Sequence, residues 1–132
     1  MSLCGRWRTF TISLDKMILR ITNLRLRTIV GIYEWEKKTR QDIIINVELE
    51  FDGSEAVRTD DIEYSVDYKK INKDIIAAVE NREYNLIERI CGDISEIVMS
   101  NEKVQRVSVR VDKPGALRFT DSVSVELTRD RK

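Results

Sequence analysis

The spacing of apolar residues switches from two to about 3.6 and back to two along this chain, and the switches predict the order of its elements. Ile18 to Val30 alternates in its second half, with Leu24 and Leu26 set against Arg25 and Arg27. After Gly31, Asp42–Phe51 puts Ile43, Ile45, Val47, Leu49 and Phe51 on one side and Ile44, Asn46, Glu48 and Glu50 on the other. That is a long half-buried strand pairing back as a hairpin. The period then lengthens. Ile71, Ile75 and Val79 form the inner stripe of a helix over Asp67–Asn81 with Asp67 as its cap, after a polar approach at Asp60 and Asp61. Leu86, Ile90, Ile94, Ile97 and Val98 mark a second helix over Asn85–Ser100. Alternation returns in Gln105–Asp112 and in Ser122–Thr128, where Val123, Val125 and Leu127 face inward. The order strand, strand, helix, helix, strand, strand predicts an α+β fold, a four-stranded antiparallel sheet with both helices on one face.

Met1 to Lys16 stands outside this pattern. It shows no sustained periodicity and no apolar core of a secretory signal, so we read 1–16 as a tail without an assigned role and 17–132 as one domain. At 132 residues and 15.5 kDa the chain suits a single core.

One strand end is distinctive. Val107, Val109 and Val111 alternate with Arg106, Ser108 and Arg110, and the strand then runs into Lys113-Pro114-Gly115. Pro114, the single proline, has no N–H to extend a ladder, and Gly115 frees the turn. Lys113 is thereby held at a rigid strand end.

Charge and composition remove several function classes. Lys+Arg and Asp+Glu both total 23, so there is no basic surplus for nucleic acid. The chain has no histidine, which excludes Ser-His-Asp and Cys-His mechanisms and any imidazole zinc site. Acid and base work falls to Glu, Asp, Lys, Tyr, Cys or water. Two cysteines, Cys4 and Cys91, make neither a metal cluster nor a disulfide framework, which fits a reducing cytoplasm. Cys91 shares a helical face with Ile87, Ile94 and Val98 and reads as a core thiol. No apolar run approaches the ~20 residues needed to span a bilayer.

Three further residues occupy the ends of predicted elements. Glu36 lies in Gly31-Ile32-Tyr33-Glu34-Trp35-Glu36 between the first two strands, Tyr68 starts the first helix, and Glu88 is in the first turn of the second. Taken singly, each has a structural explanation: a solvated loop acid, a core aromatic, a complement to the helix dipole.

Together with Lys113, in this order, the set resembles the dihydroneopterin aldolase family, which includes the dihydroneopterin triphosphate 2'-epimerases. The resemblance covers about Met17 to Thr128. It matches Glu36 to the acid five positions before the glutamine that opens the second strand, here Gln41. It matches Tyr68 to the tyrosine that begins the first helix, and Glu88 to the glutamate of Asn-Leu-x-Glu that grips the pterin ring. Lys113 corresponds to the strand-end lysine. The implied fold is the tunnelling fold, in which subunits join their sheets into a barrel. Implied partners are a pterin substrate and further copies of the chain, a homo-oligomer of four or eight with sites at subunit interfaces.

The same resemblance implies metal-free chemistry without a cofactor. The dihydropterin's own C=N bond takes the electrons when the side-chain carbon–carbon bond breaks. Lys113, which should be partly desolvated, and Tyr68 move protons, while Glu36 positions hydroxyls or water. Glu88, Leu86 and Ile87, with Val66 and Asp67, hold the pterin. An aldolase releases glycolaldehyde and 6-hydroxymethyl-7,8-dihydropterin; an epimerase re-adds the aldehyde to the other face. Asn23-Leu24-Arg25-Leu26-Arg27-Thr28, the Arg40-Gln41 entry and Ala116-Leu117-Arg118-Phe119 resemble the epimerase branch, while Gly31–Glu36 and Lys113-Pro114-Gly115-Ala116 resemble the aldolases equally, so the resemblance implies both capacities with a slight lean to epimerisation. Lys37, Lys38, Arg40 and Arg118 are the candidates for meeting a substrate triphosphate. The alternative is a non-catalytic pterin-binding or assembly protein on the same fold.

Overall fold

The computed structural model describes residues 15–132. Four long strands, β1 (Lys16–Val30), β2 (Gln41–Asp52), β4 (Val104–Pro114) and β5 (Ser122–Asp130), form an antiparallel sheet in that order. The two main helices, α2 (Tyr68–Glu80) and α3 (Ile87–Met99), supply buried faces that pack with the apolar side of the sheet. Ile43, Ile45, Val47 and Leu49 of β2, Val107, Val109 and Val111 of β4, and Ile75, Ile90 and Ile94 of the helices are essentially inaccessible. Burying side chains of this size contributes about 1.5–3 kcal/mol each, so this layer dominates the stability.

Three small elements were not visible in the periodicity. A six-residue helix α1 (Ser54–Thr59) and a short 3-10 turn (Ile62–Tyr64) lead toward α2. The two-residue strand β3 (Glu83–Tyr84) pairs in parallel with Ile29 and Val30, so the four predicted strands gain a fifth at the β1 edge. A two-residue strand is too short to show a period. The tail assigned to 1–16 falls outside the described residues apart from its last two, and β1 opens at Lys16.

β1 also changes phase partway along. Met17, Leu19 and Ile21 pack toward the core before Asn23, and Leu24, Leu26, Thr28 and Val30 do so after it. The register explains the change, because Ile21 pairs with Val47 but Leu24 with Ile45, leaving one extra residue on β1. Asn23 takes a left-handed backbone, φ 55°, a region in which Asn is enriched. Asn46 fixes it there: its Oδ1 accepts from the Asn23 N–H at 2.8 Å, and its Nδ2 donates to Asn23 Oδ1 at 3.1 Å.

Among the described residues no helix is long and apolar enough to cross a membrane.

Candidate functional site

Lys113 is the penultimate residue of β4, and its side chain is only 13% exposed. It pairs with Val123, and the Pro114–Ser122 rung beyond it is the last of the ladder. Just before it, Asp112 receives Arg110 at 2.9 and 3.4 Å and the Ser122 hydroxyl at 2.8 Å. This strand end is tied across to β5.

Lys113 Nζ lies 2.6 Å from Glu36 Oε2, closing a loop of 77 residues in sequence. Glu36 reaches it from a helical turn in which the Glu36 and Lys37 N–H groups donate to the Tyr33 carbonyl. The other carboxyl oxygen accepts the Tyr33 N–H at 3.2 Å, and Gln41 Nε2 donates to Oε2 at 3.4 Å. Gln41 also donates to the Val30 carbonyl at 2.9 Å, so it braces the carboxylate against both strands. Burial pushes the Glu36 pKa up, but the hydrogen bonds from Lys113, Tyr33 and Gln41 outweigh it, and the group sits below the usual carboxylate range. Gly31 makes room for this arrangement. Its φ is +147°, and a Cβ there would collide with the Glu36 carboxyl carbon.

The Glu36 loop is stitched to the segment that starts α3. Gly31 N–H donates to the Tyr84 carbonyl at 3.0 Å, and Lys37 Nζ reaches Asn85 Oδ1 at 3.0 Å. No side chain caps α3 at Leu86, and Glu88 stands exposed in its first turn. Leu86 is exposed while Ile87 is buried. Asp93 holds this segment in place, accepting from Tyr84 Oη at 2.7 Å, Arg82 at 3.0 Å and Arg89 at 3.1 Å. Glu36, Lys113 and Glu88 therefore belong to one braced end of the molecule.

Tyr68 is not part of it. The residue is 53% exposed, and among the described residues no hydrogen bond joins it to the other three. It opens α2, capped by Asp67, whose carboxylate accepts from the Lys69 and Lys70 N–H groups at 3.1 and 3.2 Å. Val66, expected to help hold the pterin, is fully buried within the chain. Tyr68, Lys69 and Asn72 line a cleft of about 580 Å³ with the bulged part of β1, Arg20–Arg25.

Of the four cations singled out for phosphate, two are built into the scaffold. Lys37 bridges to Asn85 as described, and Arg40 donates to the carbonyls of Arg27 at 3.2 Å and Glu80 at 3.5 Å, at the C-terminal end of α2. Arg118 lies 5.1 Å from the Phe119 ring centre, on the exposed turn after Gly115. Lys38 is exposed in the Glu36 loop. Gln41, Asn85 and Asp112 were missed as supporting residues; Gln41 left a trace in its spacing from Glu36 and Asn85 in the Asn-Leu-x-Glu segment, while Asp112 left none.

Cys91 is a core residue: burial raises its thiol to about 11. Among the described residues no group of three or more Cys, Asp or Glu side chains could hold a metal ion.

Residues 19–128 match the family model described as dihydroneopterin aldolase. The chain is 42% identical over 113 residues to dihydroneopterin triphosphate 2'-epimerase of Pseudomonas aeruginosa, covering 86% of this chain and 92% of that one. It is 29% identical over 100 residues to dihydroneopterin aldolase of Haemophilus influenzae, covering 76% and 85%. The crystal structure of Escherichia coli dihydroneopterin aldolase in complex with neopterin superposes with a TM-score of 0.81 at 26% identity, over 86% of this chain and 98% of that one. With a match spanning nearly every described residue, and 42% identity to one member over most of both chains, the chain belongs to the dihydroneopterin aldolase family.

Proposed function

We propose that this protein performs metal-free retro-aldol chemistry on the side chain of 7,8-dihydroneopterin or its triphosphate, with epimerisation at C2' favoured over release of the aldehyde. The observation that carries the reading is the buried Lys113–Glu36 pair, 2.6 Å apart and braced against the start of the helix that bears Glu88. Identity of 42% to an epimerase against 29% to an aldolase supports the epimerase branch.

Glu88 supplies two parallel acceptor oxygens, a bidentate match for adjacent N–H donors on a 2-amino-4-oxo pterin. The uncapped first turn of α3 at Leu86 and Ile87 offers backbone N–H groups to the ring carbonyl. The 2'-hydroxyl gives up its proton as the C1'–C2' bond breaks, and C2' leaves as an aldehyde. The electron pair passes through C6 into the ring C=N bond, and N5 takes a proton, giving an enamine. Re-addition of C1' to the other face of the aldehyde gives the 2'-epimer; protonation of C1' gives 6-hydroxymethyl-7,8-dihydropterin and glycolaldehyde. Lys113 moves the proton of the 2'-hydroxyl, and Glu36 orients that hydroxyl or a water. Tyr68 donates to carbon, since a phenol of pKa near 10 is a proton donor at neutral pH.

Within one chain Tyr68 is far less enclosed than the Lys113–Glu36 pair, which supports a site completed by a neighbouring copy in a ring of four or eight subunits. We place the enzyme in the cytoplasm and assign the chemistry to residues 17–132. Incubating the protein with 7,8-dihydroneopterin and with its triphosphate, then separating the products, tests the reading. Epimer with a smaller share of hydroxymethyl product is expected. Binding of both pterins without turnover would defeat it.

A further inference from the structure

The helix-free face of the sheet carries a ladder of arginines and lysines, and its ion pairs are almost complete. Arg20 meets Glu48 at 2.9 Å, Arg27 meets Asp42 at 3.1 Å, Arg110 meets Asp112 at 2.9 Å, and Arg106 meets Asp130 at 3.6 Å. Lys16 meets Glu50 at 3.6 Å. Arg25 breaks the series. Its partner across the ladder is Ile44, and among the described residues its guanidinium has no carboxylate or carbonyl acceptor.

Its position is as informative as its lack of a partner. Arg25 lines a cleft of about 770 Å³ that also holds Arg27 and Arg40 and reaches Pro114, the residue after Lys113. It also lines the cleft walled by Tyr68, Lys69 and Asn72. Arg25 therefore stands between the strand end that carries Lys113 and the helix start that carries Tyr68. The other arginines at this place are committed, Arg27 to Asp42 and Arg40 to backbone carbonyls.

We propose that Arg25 reads the phosphate chain of the substrate. The inference rests on the pterin reading above and adds a residue that distinguishes a phosphorylated from an unphosphorylated side chain. A guanidinium is a planar fork that meets two phosphate oxygens at once and stays charged at every working pH. A polyphosphate supplies the acceptors that the sheet leaves out at this rung.

The test is Arg25→Gln, which keeps a polar side chain and removes the charge. Steady-state kinetics on dihydroneopterin triphosphate and on dihydroneopterin should show the ratio of the two kcat/KM values falling about tenfold or more, the scale of a charged hydrogen bond. The loss should appear in KM for the triphosphate, and that KM should rise less steeply with salt than in the wild type. An unchanged ratio, or an equal loss on both substrates, would overturn the assignment. Calorimetry with inorganic tripolyphosphate keeps the test independent of turnover. Weaker binding to Arg25→Gln supports a phosphate site here, and equal affinity overturns it. If the wild type turns over neither pterin, the functional proposal fails while this titration still decides Arg25.

Discussion

The two ends of the candidate site are built in opposite ways. At one, Lys113 and Glu36 are almost wholly buried, 2.6 Å apart, and held by Gln41, the Tyr33 N–H and the space that Gly31 leaves. At the other, Tyr68 projects from the start of α2, half in solvent. The first end is complete as soon as one chain folds. The second is a single group placed at a helix start and left open to solvent. Preorganisation is thus strongest around the groups that would break a bond, and weakest around the group that would choose the product.

The sharpest way to break this contrast is at Lys113. Lys113→Ala should lower both epimerisation and aldehyde release by about 10²-fold or more, the scale of a positioned acid or base. Single-turnover assays following both products check it, and either product surviving intact would remove Lys113 from the shared step. Tyr68→Phe should act more narrowly, reducing hydroxymethyl product by about tenfold or more while epimerisation falls less. Co-folding the two variants sharpens the point. If sites combine Lys113 of one subunit with Tyr68 of another, mixed rings release more hydroxymethyl product than either parent alone, and no gain argues for sites within one chain.

A smaller effect is expected at Gly31. Gly31→Ala has to place a Cβ where the Glu36 carboxyl sits, at a φ that side chains rarely adopt, and should destabilise the protein by about 2–4 kcal/mol in denaturant unfolding. The smallest effect concerns pH. Glu36 titrates below its usual range in the folded state, so its pairing stabilises the protein above the unfolded carboxylate value of 4.5 and is lost as pH falls through the folded value. The gap in unfolding free energy between wild type and Glu36→Gln should be widest near neutrality and close on acidification. A gap independent of pH would mean that the charge of Glu36 does not stabilise the fold.

Much of this was legible in the residues. The long strands and both helices announced themselves because each has a buried face several residues long, and Pro114 marked the end of β4 for want of an N–H. Glu36, Tyr68, Glu88 and Lys113 stood out as candidates because each was read at an element end and the four came in order. What stayed hidden depends on distant backbone. Arg40 looks like a free surface cation until the carbonyls of Arg27 and Glu80 arrive beside it, and Lys37 until Asn85 does. β3 is two residues long and exists only because Ile29 and Val30 present an edge. The phase change in β1 left one sign, an alternation that was clean only after Asn23.

That phase change works like a frameshift. A strand has two sides and a spacing of two, so one added residue exchanges the sides for everything downstream. Because of the Asn23–Asn46 clasp, Leu24 and Leu26 face the helices while Arg25 and Arg27 face away. Straightening the strand with that extra residue kept would carry the upstream frame onward, sending two guanidiniums toward the oily layer and two leucines toward the charged face. The charged character of that face is thus written less in which residues β1 contains than in where it skips a beat.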